Sequence, residues 1–343
     1  MTVLPSRIIF GALWRLWLLA PNQWRLRVYR KLKGWDRYSE KLGWSTWRLP
    51  FGLVLKFTRR QHPQIEVSNI HFVRDHTSIP VPTVRDSIFD SAEGTGLIVM
   101  DWIDGETLCK WLDRHTETPL EVTDCINALL NPSSHDKIDH AAIMEKYHQY
   151  AHFKTDLSTA GLLLDDMRNA LLELRSVQSE SSAICGLGGR PLPSARCSDQ
   201  RHTLPPSQDV NSFHEKLLAM ALRGPCESRR PRIMQLAEPV FRKHHRVCFT
   251  HTDLNSLNIM VRNGRLVGII DWEYAGWYPE YWEYTALSYV VDNNQPELTF
   301  WGAVGIFSGK YEQELALEKA LWACTGVDVV YPGTRPEFYL DQP

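Results

Sequence analysis

Three side chains in the last third of the chain have the types and spacing for phosphoryl chemistry: Asp253, Asn258 and Asp271. In His251-Thr-Asp253-Leu-Asn-Ser-Leu-Asn258 an acid precedes an amide by five residues, and Gly268-Ile-Ile-Asp271-Trp-Glu273 adds a second acid. An amide oxygen and a carboxylate are hard ligands suited to magnesium, which completes its octahedron with phosphate oxygens and water. A further carboxylate beside such a cluster is placed to accept a hydroxyl proton.

The elements needed to bring these groups together are written around them. Arg246-Val-Cys-Phe-Thr250 is a short β-prone run that ends at the first acid. Asn258-Ile-Met-Val261 and Leu266-Val-Gly-Ile-Ile270 are two more, separated by Arg262-Asn-Gly-Arg265. Asn-Gly is the dipeptide favoured where both central residues of a two-residue hairpin take positive φ. Such a hairpin returns the chain so that Asn258 lies near Asp271, with Asp253 on the loop that enters it.

His251-x-Asp253-x-x-x-x-Asn258 followed by Ile270-Asp271-Trp-Glu273 resembles the aminoglycoside phosphotransferase family of kinase-like enzymes, in particular its large fungal branch, most of whose members have no known substrate. The resemblance implies an α+β, bilobal protein-kinase-like fold with a small β-rich N-lobe and a larger helical C-lobe. It implies ATP as phosphoryl donor, Mg2+, and a hydroxyl of a small molecule as acceptor. Carried over by position, Asp253 is the catalytic base, and Asn258 and Asp271 bind the metal. Trp-Glu after Asp271, where protein kinases carry Phe-Gly, sets the chain apart from them, as does the lack of a recognisable segment ending in Ala-Pro-Glu.

The N-terminal third supplies candidates for nucleotide binding. Arg48-Leu-Pro-Phe-Gly-Leu-Val-Leu-Lys56-Phe is a β-prone run ending in a lysine, the position from which a kinase-like lobe binds the α- and β-phosphates. Apolar Val67, Ile70 and Val73 give the next segment a helical period, with Glu66 at its start able to pair with Lys56. The following His-Thr-Ser-Ile-Pro-Val-Pro-Thr-Val84 is also typical of the fungal branch. Leu97-Ile-Val-Met-Asp-Trp-Ile-Asp-Gly-Glu-Thr-Leu108 reads as a buried strand, a turn at Asp104-Gly105 and a helix start. In a kinase-like fold its backbone from Asp101 through Trp102 to Ile103 is expected to bond adenine. No G-x-G-x-x-G precedes Lys56, so the loop covering the phosphates is short or glycine-free, placed around Trp44 to Arg48.

At 343 residues the chain exceeds the usual single core, so two lobes are expected. The expected division is a helical extension over 1–40, an N-lobe over 41–103, and a C-lobe over 104–343. The C-lobe carries an insertion near 115–146 and a Ser-, Gly- and Pro-rich surface connection over 178–209. Apolar content of 43% and charged content of 23% describe a globular protein, and a net charge of −2 argues against nucleic acid as the main partner. Seven cysteines without a C-x-x-C pair fit reduced thiols and a cytoplasmic setting. The apolar run Ile8–Ala20 is too short to span a bilayer and is broken by Arg15. For the basic, apolar stretch Trp24–Lys33, a helix packed on the small lobe with its charges in water is favoured over one lying on an anionic membrane.

Beyond Asp271, Pro279 suits the first turn of a helix, with Glu280 and Glu283 near its positive end. The aromatic cluster Trp277, Tyr278, Tyr281 and Trp282 reads as packing beneath the catalytic loop rather than a stacking platform for substrate, and Glu273 and Glu280 could attract an amine. An ATP-dependent small-molecule kinase is the leading function. The alternative is a pseudokinase or nucleotide-binding module without turnover, favoured by the missing glycine loop and opposed by the complete Asp253, Asn258 and Asp271 set. The acceptor and the oligomeric state have no readable code.

Overall fold

The computed structural model describes residues 13–33, 39–42, 45–59, 63–116, 155–193, 203–222, 228–291, 295–307 and 309–325. Most of the expected insertion near 115–146 lies outside them, as does the middle of the 178–209 connection. The chain forms two compact units, one of Met1–Phe72 with Val81–Asp104 and one of Val73–Pro80 with Gly105–Pro343.

The first unit is built on a five-stranded antiparallel sheet in the order β1-β2-β3-β5-β4. Its strands are β1 (Glu40–Lys41), β2 (Thr46–Leu49), β3 (Leu53–Arg59), β4 (Val84–Asp90) and β5 (Thr95–Asp101). β5 lies between β3 and β4 with Leu97, Ile98, Val99 and Met100 all buried, as an apolar run covered on both faces should be. Helix α1 (Asn22–Lys33) packs Leu26 and Tyr29 onto a core of Leu49, Leu53, Leu55, Ile88, Leu97 and Val99. Helix α2 (Gln64–His76) buries Val67, Ile70 and Val73, the spacing read from the sequence. One local expectation fails here. Residues 46–48 are strand rather than a phosphate-covering loop, because Thr46, Trp47 and Arg48 pair with Lys56, Leu55 and Val54; Trp44 lies outside the described residues.

The second unit is mostly helical around small sheets. β6 (Glu106–Thr107), β10 (Ile259–Arg262) and β11 (Arg265–Ile269) form a three-stranded sheet in the order β11-β10-β6. β9 (Val247–Thr250) pairs antiparallel with β12 (Gly276–Pro279), Thr250 opposite Gly276. The helices are α3 (Leu108–Arg114), α4 (Gly161–Ser176), α5 (Val210–Ala221), α6 (Arg230–Phe241), α7 (Trp282–Val291), α8 (Gln295–Val304) and α9 (Glu312–Thr325). α4 buries Leu163, Met167, Ala170, Leu171 and Leu174, a stripe at helical period. α9 packs Leu317, Ala320 and Leu321 against Ile233, Ala237 and Val240 of α6.

Two expectations are corrected in this unit. Pro279 ends a strand instead of starting a helix: its partner is Val247, and α7 begins at Trp282. The described ends of the 178–209 connection are not simply surface chain. Ile184, Leu192 and Leu204 are buried, β7 (Leu192–Pro193) pairs with β8 (Thr203–Leu204), and Cys185 exchanges two backbone hydrogen bonds with Trp277. Gly276 is needed where this segment crosses β12, since a Cβ there would collide with the Leu192 side chain.

Candidate active site

β9 and β10 are joined by the loop 251–258, and β10 returns through Asn263 and Gly264 into β11. Both turn residues take positive φ, 52° and 68°, the primed-turn geometry that Asn-Gly favours. The hairpin register sets Ile259 opposite Ile269, and Ile270 N donates to Asn258 O at 2.9 Å. The start of β10 and the end of β11 are thereby held side by side, which brings Asn258 and Asp271 together.

The loop is tied down residue by residue. Asn258 Nδ2 donates to Asp253 O (2.8 Å) and to Asp253 Oδ2 (3.0 Å), so its amide oxygen is the part left to act as a ligand. Asn255 Nδ2 donates to the other Asp253 oxygen at 2.9 Å, and Asn255 Oδ1 accepts from Leu257 N in a local turn. His251 is fully buried; its Nδ1 accepts from Asp253 N (3.2 Å) and its Nε2 lies 3.0 Å from Ile270 O. That pattern selects the neutral Nε2–H tautomer, with the ring bridging the loop and the strand before Asp271. Trp272 is buried against the His251 ring, centroids 4.5 Å apart, and its Nε1 donates to Ile269 O. The residue that sets the motif apart from Phe-Gly is therefore the floor of the loop.

Two of the four non-glycine residues with positive φ among the described residues are here, Thr252 at 71° and Asp271 at 65°. Such backbone costs on the order of 1–3 kcal/mol and persists only where surrounding groups hold it. For Thr252 the holder is Glu283 of α7. One carboxylate oxygen accepts from His251 N (2.8 Å) and the other from Thr252 N (3.0 Å). Glu283 is buried, and desolvation pushes its pKa up to about 7 against the pull of those two amides.

Asp253 is the one carboxyl of the loop 251–258. Burial is the largest cause and the Asp271 charge the second, and together they raise its pKa to about 7 although Asn255 and Asn258 favour the ionised form. Carboxylate oxygens of Asp271 and Glu273 approach within 4.8 Å of each other. Three acids thus share this corner, an arrangement that a divalent cation would relieve, and the donor set of carboxylate and amide oxygens fits Mg2+.

In the first unit Lys56 Nζ donates to Glu66 Oε2 at 2.8 Å, with both side chains buried. The expected adenine-binding backbone is partly committed elsewhere. Asp101 N donates to Thr83 O and Trp102 N to Gly52 O, while the Asp101 carboxylate chelates Arg85 at 2.6 Å and Arg48 stacks 4.4 Å over the Trp102 ring. These amides close the β-sheet and the β2–β3 turn, so of the three residues Ile103 is the one whose N–H has no backbone partner among the described residues. Glu280, a candidate for attracting an amine, instead binds Arg246 Nε (3.2 Å) and lies 3.9 Å from Arg175. Tyr278, Tyr281 and Trp282 are buried packing, with Tyr278 stacked on Trp282.

Sequence reasoning missed Asn255, and it read Glu283 only as an acid at the start of a helix. Asn255 carried a local signal, an amide two residues after the acid. Glu283 carried none, because its partners lie 31 and 32 residues earlier in the chain.

The family described as the phosphotransferase enzyme family (APH) matches residues 32–299. Among solved structures, a thermostable mutant of aminoglycoside phosphotransferase APH(4)-Ia in ternary complex with ADP and hygromycin B superposes with a TM-score of 0.50 at 11% identity, covering 83% of each chain. The streptomycin–ATP ternary complex of APH(2")-IIa aligns at 0.48 and 16% identity, over 86% of this chain and 89% of that one. No curated protein sequence matches. The first likeness shows the fold, kinase-like and α+β, with a small antiparallel sheet unit and a larger helical one. With well over half of its length matched, the chain belongs to the phosphotransferase enzyme family.

Proposed function

We propose that this protein is an ATP- and Mg2+-dependent phosphotransferase that moves the γ-phosphoryl group to a hydroxyl of a small molecule. The observation that carries the proposal is the loop constellation in a phosphotransferase-family chain: Asp253 clamped between two asparagine amides, with its carboxyl raised to about 7 beside Asp271. The structural neighbour in complex with ADP and hygromycin B supports a nucleotide and a hydroxylated small molecule as ligands.

Asp253 accepts the acceptor hydroxyl proton as that oxygen bonds to the γ-phosphorus and the bond from the γ-phosphorus to the bridging oxygen breaks, releasing ADP; a base with a pKa near the working pH suits that role. Asn255 and Asn258 aim the carboxylate, and Glu283 and His251 hold the backbone that carries it. Asn258 Oδ1 and Asp271 would hold Mg2+, which when bound neutralises phosphate charge and orients the triphosphate. Lys56, fixed by Glu66, supplies the cation for the α- and β-phosphates, and the Ile103 N–H is the main-chain donor for adenine.

The test is a thermal shift with MgATP, followed by ADP release across a panel of hydroxylated compounds. A magnesium-dependent shift plus acceptor-dependent ADP release is expected. A shift without release for any acceptor would favour the alternative, a nucleotide-binding module without turnover, and no shift at all would remove both.

A further inference from the structure

Residues 13–33 present two apolar faces, and only one of them is covered. Trp14, Trp17, Leu26, Tyr29 and Leu32 pack on the sheet core of the first unit, and Arg25 goes in with them as an ion pair with Asp86, which also accepts from Tyr29 Oη. The opposite side is bare. Leu13, Leu16, Leu19 and Trp24 are 59%, 64%, 80% and 66% exposed, and Val28 is 40% exposed. A helix lying on a protein surface normally shows polar residues there. The expected helix over Trp24–Lys33 does pack on the sheet of the first unit, but Trp24 and Val28 stand in water beside its charges.

The bare face also has a sign. Its charged side chains are Arg15, Arg27 and Lys31, and 13–33 holds no acid; Arg25, Arg30 and Lys33 instead meet Asp86, Asp90 and the Trp47 and Phe57 rings. On α1, Trp24, Arg27, Val28 and Lys31 recur at i, i+3, i+4 and i+7, which puts indole, aliphatic and cationic side chains on one side of the helix. Arg15 is exposed between Leu13 and Leu16. Apolar side chains interleaved with cations are the pattern of a segment lying in a membrane interface.

We propose that this face docks on an anionic lipid surface. Leu13, Leu16, Leu19 and Trp24 enter the headgroup–acyl boundary, and Arg15, Arg27 and Lys31 meet the lipid phosphates and carboxylates. A second copy of the chain is the poorer occupant. A two-fold contact sets one face against itself and would bring a face whose charges are Arg15, Arg27 and Lys31 against the same cations, with no acid in 13–33 to offset them. The proposal is independent of the phosphotransferase reading, since none of these residues belongs to the site in the second unit.

The test is co-sedimentation of the full-length protein with vesicles of phosphatidylcholine alone or with about 30% phosphatidylserine. Binding to the anionic vesicles is expected to be about tenfold or more tighter, and to weaken as salt shortens the screening length from roughly 10 Å at 0.1 M to 3 Å at 1 M. The doubly substituted Leu16→Glu/Trp24→Glu and Arg27→Glu/Lys31→Glu proteins should each lose about tenfold or more, with the melting temperature unchanged because the side chains are exposed. Equal binding to both vesicle types, no binding to either, or unaltered binding by folded variants would overturn the proposal. So would a dimer in sedimentation that Leu16→Glu/Trp24→Glu dissolves while the parent ignores vesicles.

Discussion

Asp253 is where opposing electrostatic effects are balanced most finely. Two amides stabilise its ionised form, yet burial and the Asp271 charge outweigh them and hold its pKa near 7. Asp253→Asn should therefore reduce turnover by roughly 10²–10⁴ while the MgATP-induced rise in melting temperature persists; full activity would remove Asp253 as the base. In the parent, kcat/KM should climb with pH to about 7 and then level off, because the base works only when unprotonated. Stability runs the other way. A carboxyl with a raised folded-state pKa favours the fold fully below the ordinary Asp range, and that contribution is lost as pH rises through about 7. The asparagine variant should accordingly be the more stable protein at pH 8, by about 1 kcal/mol after one amide contact is lost, with the gain shrinking toward pH 4 in urea titrations. Asp271→Ala should abolish the magnesium-dependent part of the nucleotide thermal shift. It should also move the lower limb of the pH profile to lower pH, since the Asp271 charge is the second cause of the Asp253 shift.

Between residue and molecule, the element that matters most is α7, because Glu283 at its start holds a loop that would not hold itself. Thr252 is β-branched with φ 71°, and both amides that keep it there end on one buried carboxylate. Glu283→Gln leaves one acceptor and turns the other position into a donor facing a donor, a mismatch worth about 1–3 kcal/mol. The expected result is a fall in kcat on the order of 10²-fold, with the KM for nucleotide little changed. A matching collapse of nucleotide binding would mean that Glu283 supports the whole unit and not the loop geometry. The hairpin element behaves differently. Asn263 and Gly264 set its turn by their own φ preferences, and Gly264→Ala should destabilise by about 1 kcal/mol without altering the site's pH profile.

Across the whole chain, charge is unevenly spread. The segment 13–33 is purely basic, while acids gather at the loop site in the second unit. One of the basic residues serves the core and not the surface. Arg25 and Asp86 are both buried, and the Tyr29 hydroxyl shares the carboxylate at 2.8 Å. Arg25→Leu strands that carboxylate and should lower stability by about 3 kcal/mol in urea denaturation. The loss should be recovered in large part by Arg25→Leu/Asp86→Asn, which removes the unpaired charge. Bound MgATP should raise the melting temperature of parent and variant alike, by a free energy of about 2.7 kcal/mol at a hundredfold excess over Kd.

The family, the kinase-like α+β class, the β10–β11 hairpin, the α2 helix and the approach of Asn258 to Asp271 were all legible in the sequence. Each rests on local physics: Asn-Gly turn chemistry, period-3.6 burial, β-branched runs and one short motif. Tertiary structure alone decided the rest. The span from Pro279 to Trp282 became strand end and then helix because β12 found β9, and the Asp101 and Trp102 amides found Thr83 O and Gly52 O. Glu280 was taken by Arg246, and Glu283 became the anchor of a loop more than thirty residues upstream. Partners far apart in sequence leave no periodic trace, since a side chain's spacing shows which way it faces on its own element but not what another element brings to meet it.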